Sequence, residues 1–296
     1  MDLPTPQPGP GAPPEPPFEP FVIQRPPLQT VPLVVASPHS GRFYAPDFLR
    51  AARLGPLDLR RSEDSFVEEL FASAVEHGAP LLSAQFPRAY CDPNREAWEL
   101  DPAMFADSLP DWVNTTSPRV GAGLGTIARV VTSGEQIYRS KLRFSDAQER
   151  VRDCWQPYHD ALTRLIMDTR DRFGHCVLID CHSMPAGAGR FAGPDFVLGD
   201  AHGTACMPQV TGLVERVLTS FGYDVRRNDP YAGGYVTRHY GRPRDHIHAL
   251  QIEVARRLYM NESTLEKAPG FALLQQRLGV LMGQIAAACR DLLGGS

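Results

Sequence analysis

A chain of 296 residues, 43% of them hydrophobic, is long enough for one large or two small domains with a substantial core. Its formal net charge of −4 and scattered basic residues exclude a dense nucleic-acid-binding patch and favour a small-molecule partner. No run reaches the roughly 18 apolar residues of a membrane span, and the start lacks the basic and apolar regions of a secretory signal, so a cytoplasmic protein is expected.

Residues 1–20 are so rich in proline that neither helix nor strand ladder can form, and a disordered or polyproline-like tail is predicted there. From residue 21 to 296 a single α/β domain is expected, because short apolar runs alternate with helical patterns. "PLVVA" (32–36) reads as a first buried strand. From Ser62 a helical stripe follows, with Phe66, Val67, Leu70, Phe71 and Ala74 on one face. "PLLSAQF" (80–86) is the second strand. The segment 145–174 is a long helix with Ser145 as N-cap and Gly174 as its stop, which Pro157 should kink or divide. "CVLID" (176–180) and "HALQIEV" (248–254) complete four strands, and further helices are predicted over 204–221 and 264–293. The six cysteines are widely spread with no Cys-x-x-Cys pair, which fits buried reduced thiols rather than a disulfide framework or a zinc ribbon.

Ionisable residues collect at the strand ends. His39 follows the first strand, Arg88 the second, Asp180 and His182 close the third, and Glu253 stands near the end of the fourth. Ligands of open α/β sheets bind outside the carboxyl ends of strands, so these groups can share one crevice. A lone histidine in a turn is more often a hydrogen-bonded surface residue than a ligand. Matched placement after two separate strands makes His39 and His182 candidate nitrogen ligands of a catalytic zinc, with another carboxylate left over as general base. Asp64 has a bland reading at this level, a first-turn carboxylate favouring the helix dipole.

"PRAYCDPNR" (87–95) adds Arg88, Asp92, Asn94 and Arg95, which suit recognition of a carboxylate and polarisation of a carbonyl, or equally a surface loop with its own Asp-Arg pair. In "RRNDPYAGGYVTRHYGRP" (226–243), Tyr231, Tyr235 and Tyr240 are candidates for lining a pocket or lid. His246 and His248 form a rival His-x-His pair, for which a structural role is favoured. Cys181 adjoins His182, but strand neighbours face opposite ways, so it reads as a core thiol rather than half of a Cys-His dyad. Neither a phosphate-binding loop nor Gly-x-Ser-x-Gly is present, which disfavours kinases and serine hydrolases.

The ordered set "SPHSGRFYAP", "EDSFVEELF", "FPRAYCDPNR", "YRSKL", "LIDCHSMP", "NDPYAGGYVTRHYGRP" and "ALQIEVARRLYM" resembles the N-formylglutamate amidohydrolase family over about residues 30–265. That resemblance implies a zinc carboxypeptidase-like fold, a three-layer sandwich with a mixed central sheet and helices on both faces. It also implies His39, Asp64 and His182 as ligands of one divalent metal, zinc before cobalt or manganese. Arg42 stands where a His-x-x-Glu ligand pair would carry its glutamate, a departure from the carboxypeptidases that requires the carboxylate ligand to come from elsewhere in the chain. By the same resemblance Glu253 activates water, Arg88 stabilises the oxyanion, and Asn94 with Arg95 holds a substrate carboxylate; Arg139 and Tyr231 are further candidates for substrate contact. The implied reaction is hydrolysis of N-formyl-L-glutamate, or a related N-acyl amino acid, usually in the context of histidine breakdown. Alternatives are an aspartoacylase-like deacylase or carboxypeptidase, or a metal-free binder of acidic ligands.

Overall fold

The computed structural model describes residues 18–186 and 193–293. The expected proline-rich tail therefore lies outside the described residues up to position 17. A seven-stranded mixed sheet organises the chain: β1 (Phe21–Gln24), β2 (Leu33–Ser37), β3 (Leu81–Ala84), β4 (Cys176–Met184), β5 (Phe196–Gly199), β6 (Val225–Arg227) and β7 (Ile247–Ala255). The spatial order is β1-β3-β2-β4-β7-β5-β6. The central strands β3, β2, β4 and β7 run parallel, while β1 joins β3 and β5 joins β7 in the antiparallel sense.

Alternation along the strands divides the core in two. Leu33, Val35, Val177, Ile179, Cys181, Leu250, Ile252 and Val254 face one way, against the helices Val67–Leu70, Pro208–Ser220 and Phe271–Leu293. Val34, Ala36, Leu178, Ile247 and Ala249 face the other way, against the helix Gln156–Phe173. The result is the expected three-layer sandwich, because strands buried on both faces require cover on both. On the second face the strands change character along their length: Cys176 and Leu178 give way to Asp180 and His182, and Ile247 and Ala249 to Gln251 and Glu253. All the added polarity thus lies at the carboxyl ends.

Several local expectations shift. β1, β5 and β6 are too short or too polar to stand out from sequence, and the helix expected from Ser62 is only Val67–Leu70, with Phe66 before it in the left-handed region at φ 67°. Ser145 is not the N-cap of the long helix; the turn begins at Phe144, and Asp146 accepts the Arg143 N–H at 2.8 Å. A wide π turn, Val151–Trp155, separates Phe144–Arg150 from the helix Gln156–Phe173, and Pro157 stands in the first turn of the latter, where a missing N–H costs little. Gly174 caps it at φ 81°, as expected. The helices placed at 204–221 and 264–293 begin later, at Pro208 and Phe271, and Glu266–Lys267 pairs instead with Met260–Asn261.

The long helix also holds the loop after β3 in place. Trp155 donates from Nε1 to the Arg95 carbonyl at 2.9 Å, and His159 donates from Nε2 to the Pro93 carbonyl at 2.8 Å while its Nδ1 lies 2.8 Å from the Tyr240 hydroxyl. Burial lowers the His159 pKa from 6.5 to about 4, against the pull of the Pro93 bond. Because the unfolded chain takes up this proton first, the stability is fully present above pH 6.5 and is lost as pH falls towards 4. The loss is about 3 kcal/mol from this residue. Urea unfolding of wild type and His159→Gln at pH 7.5 and 4.5 is expected to show a shallower pH dependence in the variant.

Candidate active site

β2 and β4 are neighbours whose chains leave in opposite directions, towards β3 on one side and towards β7 and β5 on the other, which opens a crevice at their carboxyl ends. His39 enters it on the turn after β2. Gly41 lets that turn press against the next loop: a Cβ there would sit 2.1 Å from the Phe86 carbonyl oxygen. His182 stands within β4, not beyond its end, and pairs in register with Glu253 of β7. Asp64 lies in the loop before the short helix, not in its first turn, and its N–H donates to the His39 carbonyl at 3.0 Å.

Three ligand atoms converge. His39 Nδ1 and His182 Nδ1 are 3.1 Å apart, and Asp64 Oδ2 lies 3.3 and 3.1 Å from them. A tetrahedral ion with ligands at 2.0–2.1 Å would space them by about 3.3–3.4 Å. The far sides of both rings meet carboxylates: His39 Nε2 is 2.7 Å from Asp92 Oδ1, and His182 Nε2 is 3.1 Å from Asp180 Oδ2. Asn94 Nδ2 also approaches His182 Nε2, at 3.2 Å, so that nitrogen faces both an amide and the negative charge of Asp180. On their near sides the two Nδ1 atoms face the Asp64 carboxylate, an arrangement that demands positive charge. Burial opposes an imidazolium at His182, yet Asp180 and Asp64 hold its pKa well above the usual value. The donor set fits a divalent ion.

Asp64 is tightly oriented. Its Oδ1 accepts from Ser183 Oγ at 3.2 Å and Arg256 Nη2 at 3.1 Å, leaving Oδ2 for the imidazoles. Burial raises its pKa, but bonds to His182 and His39 dominate and keep it well below the ordinary carboxylate value. Glu253 makes no ion pair among the described residues; its Oε1 accepts from Gln251 Nε2 at 2.9 Å. Burial, reinforced by Asp64 and Asp180 against the pull of His182 and Arg88, pushes its pKa to about 7. A carboxyl poised there can accept and return a proton at neutral pH.

These groups surround a cavity of ≈ 460 Å³ that also takes in Arg88, Asn94, Arg95 and Tyr231. Arg88 donates to Asp92 Oδ2 at 2.8 Å. Arg139 is not brought to the cavity: exposed on the surface, it donates from Nε to the Ala52 carbonyl. Tyr235 and Tyr240 do not line it either, and instead pack around His159. His248 lies at the opposite end of β7, five residues from Glu253 and so about 17 Å away along the strand. The six cysteines are free and buried, and Cys181 faces the other core layer. Four roles were not assigned by sequence reasoning: Asp92 and Asp180, noted there only as a loop and a strand-end group, stand behind the histidines, Gln251 lies beside Glu253, and Arg256 holds Asp64. The i, i+2 spacings of Asp180 with His182 and of Gln251 with Glu253 carry a signal for two of them.

A buried histidine–histidine–aspartate cluster that could hold a metal ion, beside a buried glutamate at the carboxyl ends of a mixed sheet, is a site of the α/β enzyme class. Comparison with known proteins narrows the class. Residues 31–260 match the N-formylglutamate amidohydrolase family model. N-formylglutamate deformylase of Pseudomonas putida is 31% identical over 242 residues, 79% of this chain and 83% of that protein. Its Pseudomonas aeruginosa counterpart is 31% identical over 244 residues, 78% and 83% of the two chains. The crystal structure of N-formylglutamate amidohydrolase from Ralstonia eutropha superposes with a TM-score of 0.87 at 40% identity, covering 92% of this chain and 99% of that one. A gene product of Agrobacterium tumefaciens, 18% identical, shares the fold at a TM-score of 0.62 over 93% and 97% of the chains. The chain belongs to the N-formylglutamate amidohydrolase family and is a hydrolase of amide bonds.

Adding one methyl group at Gly41 tests the packing of the His39 turn. Gly41→Ala is expected to lower stability by roughly 1–3 kcal/mol in urea titration, and to reduce activity through displacement of His39.

Proposed function

We propose that this chain hydrolyses N-formyl-L-glutamate to L-glutamate and formate in a metal-dependent reaction. The observation that carries the reading is the tight triangle of His39, His182 and Asp64 ligand atoms with Glu253 paired opposite His182. The naming of the relatives supports the substrate. His39, Asp64 and His182 would hold one divalent ion, zinc first by the nitrogen and oxygen donors, with cobalt or manganese as alternatives. Such an ion, when bound, would polarise the amide carbonyl and lower the pKa of water from 15.7 towards about 7.

The side chains account for the remaining steps. Glu253 takes the proton of the attacking water and returns it to the departing amine, a cycle suited to its pKa of about 7. Arg88, held by Asp92, offers its remaining donors to the developing oxyanion. Asn94 and Arg95 anchor the α-carboxylate, and Tyr231 covers the substrate; Arg139, away from the cavity, has no role in this reading. A single domain over residues 21–296 and a cytoplasmic setting fit the buried free thiols. Among the described helices, none is long and apolar enough to cross a membrane.

Glu253→Gln is expected to lower kcat by about 10²- to 10⁴-fold with metal content and KM preserved. Since the ionised carboxylate is the working form, wild-type kcat/KM should rise with pH through a limb at or below about 7, an added cation drawing the pKa down, and this limb should vanish in the variant. Near-normal formate release by Glu253→Gln would remove it as the base. Metal analysis separates the enzyme from a binder of acidic ligands. His182→Ala is expected to lose stoichiometric metal while the wild type retains it, and a wild type with neither metal nor metal-stimulated activity would favour the binder. Formyl, acetyl and peptidyl substrates distinguish the aspartoacylase-like and carboxypeptidase alternatives.

A further inference from the structure

Five guanidinium groups of the described residues line the cavity. Two are matched by carboxylates, Arg88 by Asp92 at 2.8 Å and Arg256 by Asp64 at 3.1 Å. Arg95 is largely committed to backbone, donating at 2.7 Å to the carbonyls of Leu124 and Asn94, and its Nη2 stands 3.8 Å from an Asp92 already shared with His39 and Arg88. Arg119 and Arg238 differ. Both are exposed, on the separate segments Pro118–Gly121 and Tyr235–Tyr240, yet both border the cavity whose reacting groups are buried.

Among the described residues the Arg119 side chain has no hydrogen-bond or ion-pair partner, and the Arg238 side chain has one contact, from Nε to the Gly233 carbonyl at 3.2 Å. That contact orients the Arg238 fork and leaves its Nη groups free. Arg119 acts on the cavity as a charge: the Arg95 pKa is lowered from its ordinary value by burial first, against the pull of Asp92, with Arg88 and Arg119 adding to the lowering. The remaining carboxylate of the cavity, Glu253, has no guanidinium at ion-pair distance among the described residues and accepts from Gln251 instead. The rim therefore carries positive charge that no described side chain neutralises.

We infer that Arg119 and Arg238 form a second carboxylate subsite at the cavity rim, which receives the side-chain carboxylate of the substrate and selects acidic N-formyl amino acids. This deepens, and rests on, the reaction proposed above. A substrate with two carboxylates needs two sets of donors, and the Asn94 and Arg95 set can serve only one. Groups arranged to meet a carboxylate discriminate against a neutral isostere, because the isostere leaves cationic donors without a counter-charge. The two arginines touch no reacting atom in this account, so they govern KM and selectivity rather than the chemical step.

The test compares N-formyl-L-glutamate with its neutral isostere N-formyl-L-glutamine, by formate release, in wild type, Arg119→Ala, Arg238→Ala and the double variant. Wild type is expected to favour the glutamate compound in kcat/KM by at least about 10-fold. The double variant should bring that ratio close to one through a higher KM for N-formylglutamate, while turnover of N-formylglutamine stays within about 2-fold of wild type and reports an intact fold. An unchanged ratio in the double variant, or an equal loss on both compounds, overturns the subsite while leaving the amidohydrolase reading standing. A wild type that releases formate from neither compound in metal-supplemented buffer overturns that reading and the subsite with it.

Discussion

Two imidazole nitrogens held 3.1 Å apart, with a buried carboxylate oxygen against both, set the terms for the whole active site. Such a cluster is stable only when positive charge balances it, as a proton or as an ion. The surrounding groups reinforce this demand rather than relieving it. Asp92 and Asp180 stand behind the two rings, and Arg256 with Ser183 takes up the other oxygen of Asp64. Each of the three converging atoms is therefore fixed in direction by its neighbours, an arrangement that could hold a metal ion without reorganising.

The sheet makes this aim affordable in space. His182 and Glu253 are register partners on adjacent parallel strands, so their separation is fixed by the ladder itself and not by loop conformation. His39 and Asp64 come from loops, but those loops are joined through the Asp64 N–H and the His39 carbonyl, and the first is pressed against Phe86 at Gly41. The third loop, carrying Asn94 and Arg95, is tied to the long helix by Trp155 and His159. Strand register thus fixes His182 against Glu253, while loops locked to the scaffold carry His39, Asp64, Asn94 and Arg95, and the exposed Arg119 and Arg238 border the same cavity.

Much of this was legible in the linear chain. The four central strands stand out as short apolar runs between turn residues, and the appearance of ionisable residues at their carboxyl ends marks the crevice. The short outer strands did not stand out, since Val225–Arg227 is polar and owes its pairing to a neighbour already in place. Asp64 read locally as a helix-start carboxylate because nothing within a few residues distinguishes a charge that meets a dipole from one that meets two distant imidazoles. The resemblance grouped it with them, and in the structure its Oδ2 lies 3.1 Å from His182 Nδ1, while the helix begins at Val67, five residues after Ser62. Arg139 stands apart from the cavity, its backbone N–H and its Nε donating to the carbonyls of Ala51 and Ala52.

The sequence by itself determined the α/β alternation, the two buried faces of the central strands and the identities of the groups that crowd their ends, since these follow from periodicity and from residue chemistry. Only the tertiary structure decided which carboxylate stands behind which histidine, that Arg256 orients Asp64 across 192 positions of chain, and that Arg119 and Arg238 have no carboxylate partner among the described residues. Periodicity acts over a few residues, whereas these relations are set by strand register and loop packing between segments that the chain order keeps far apart.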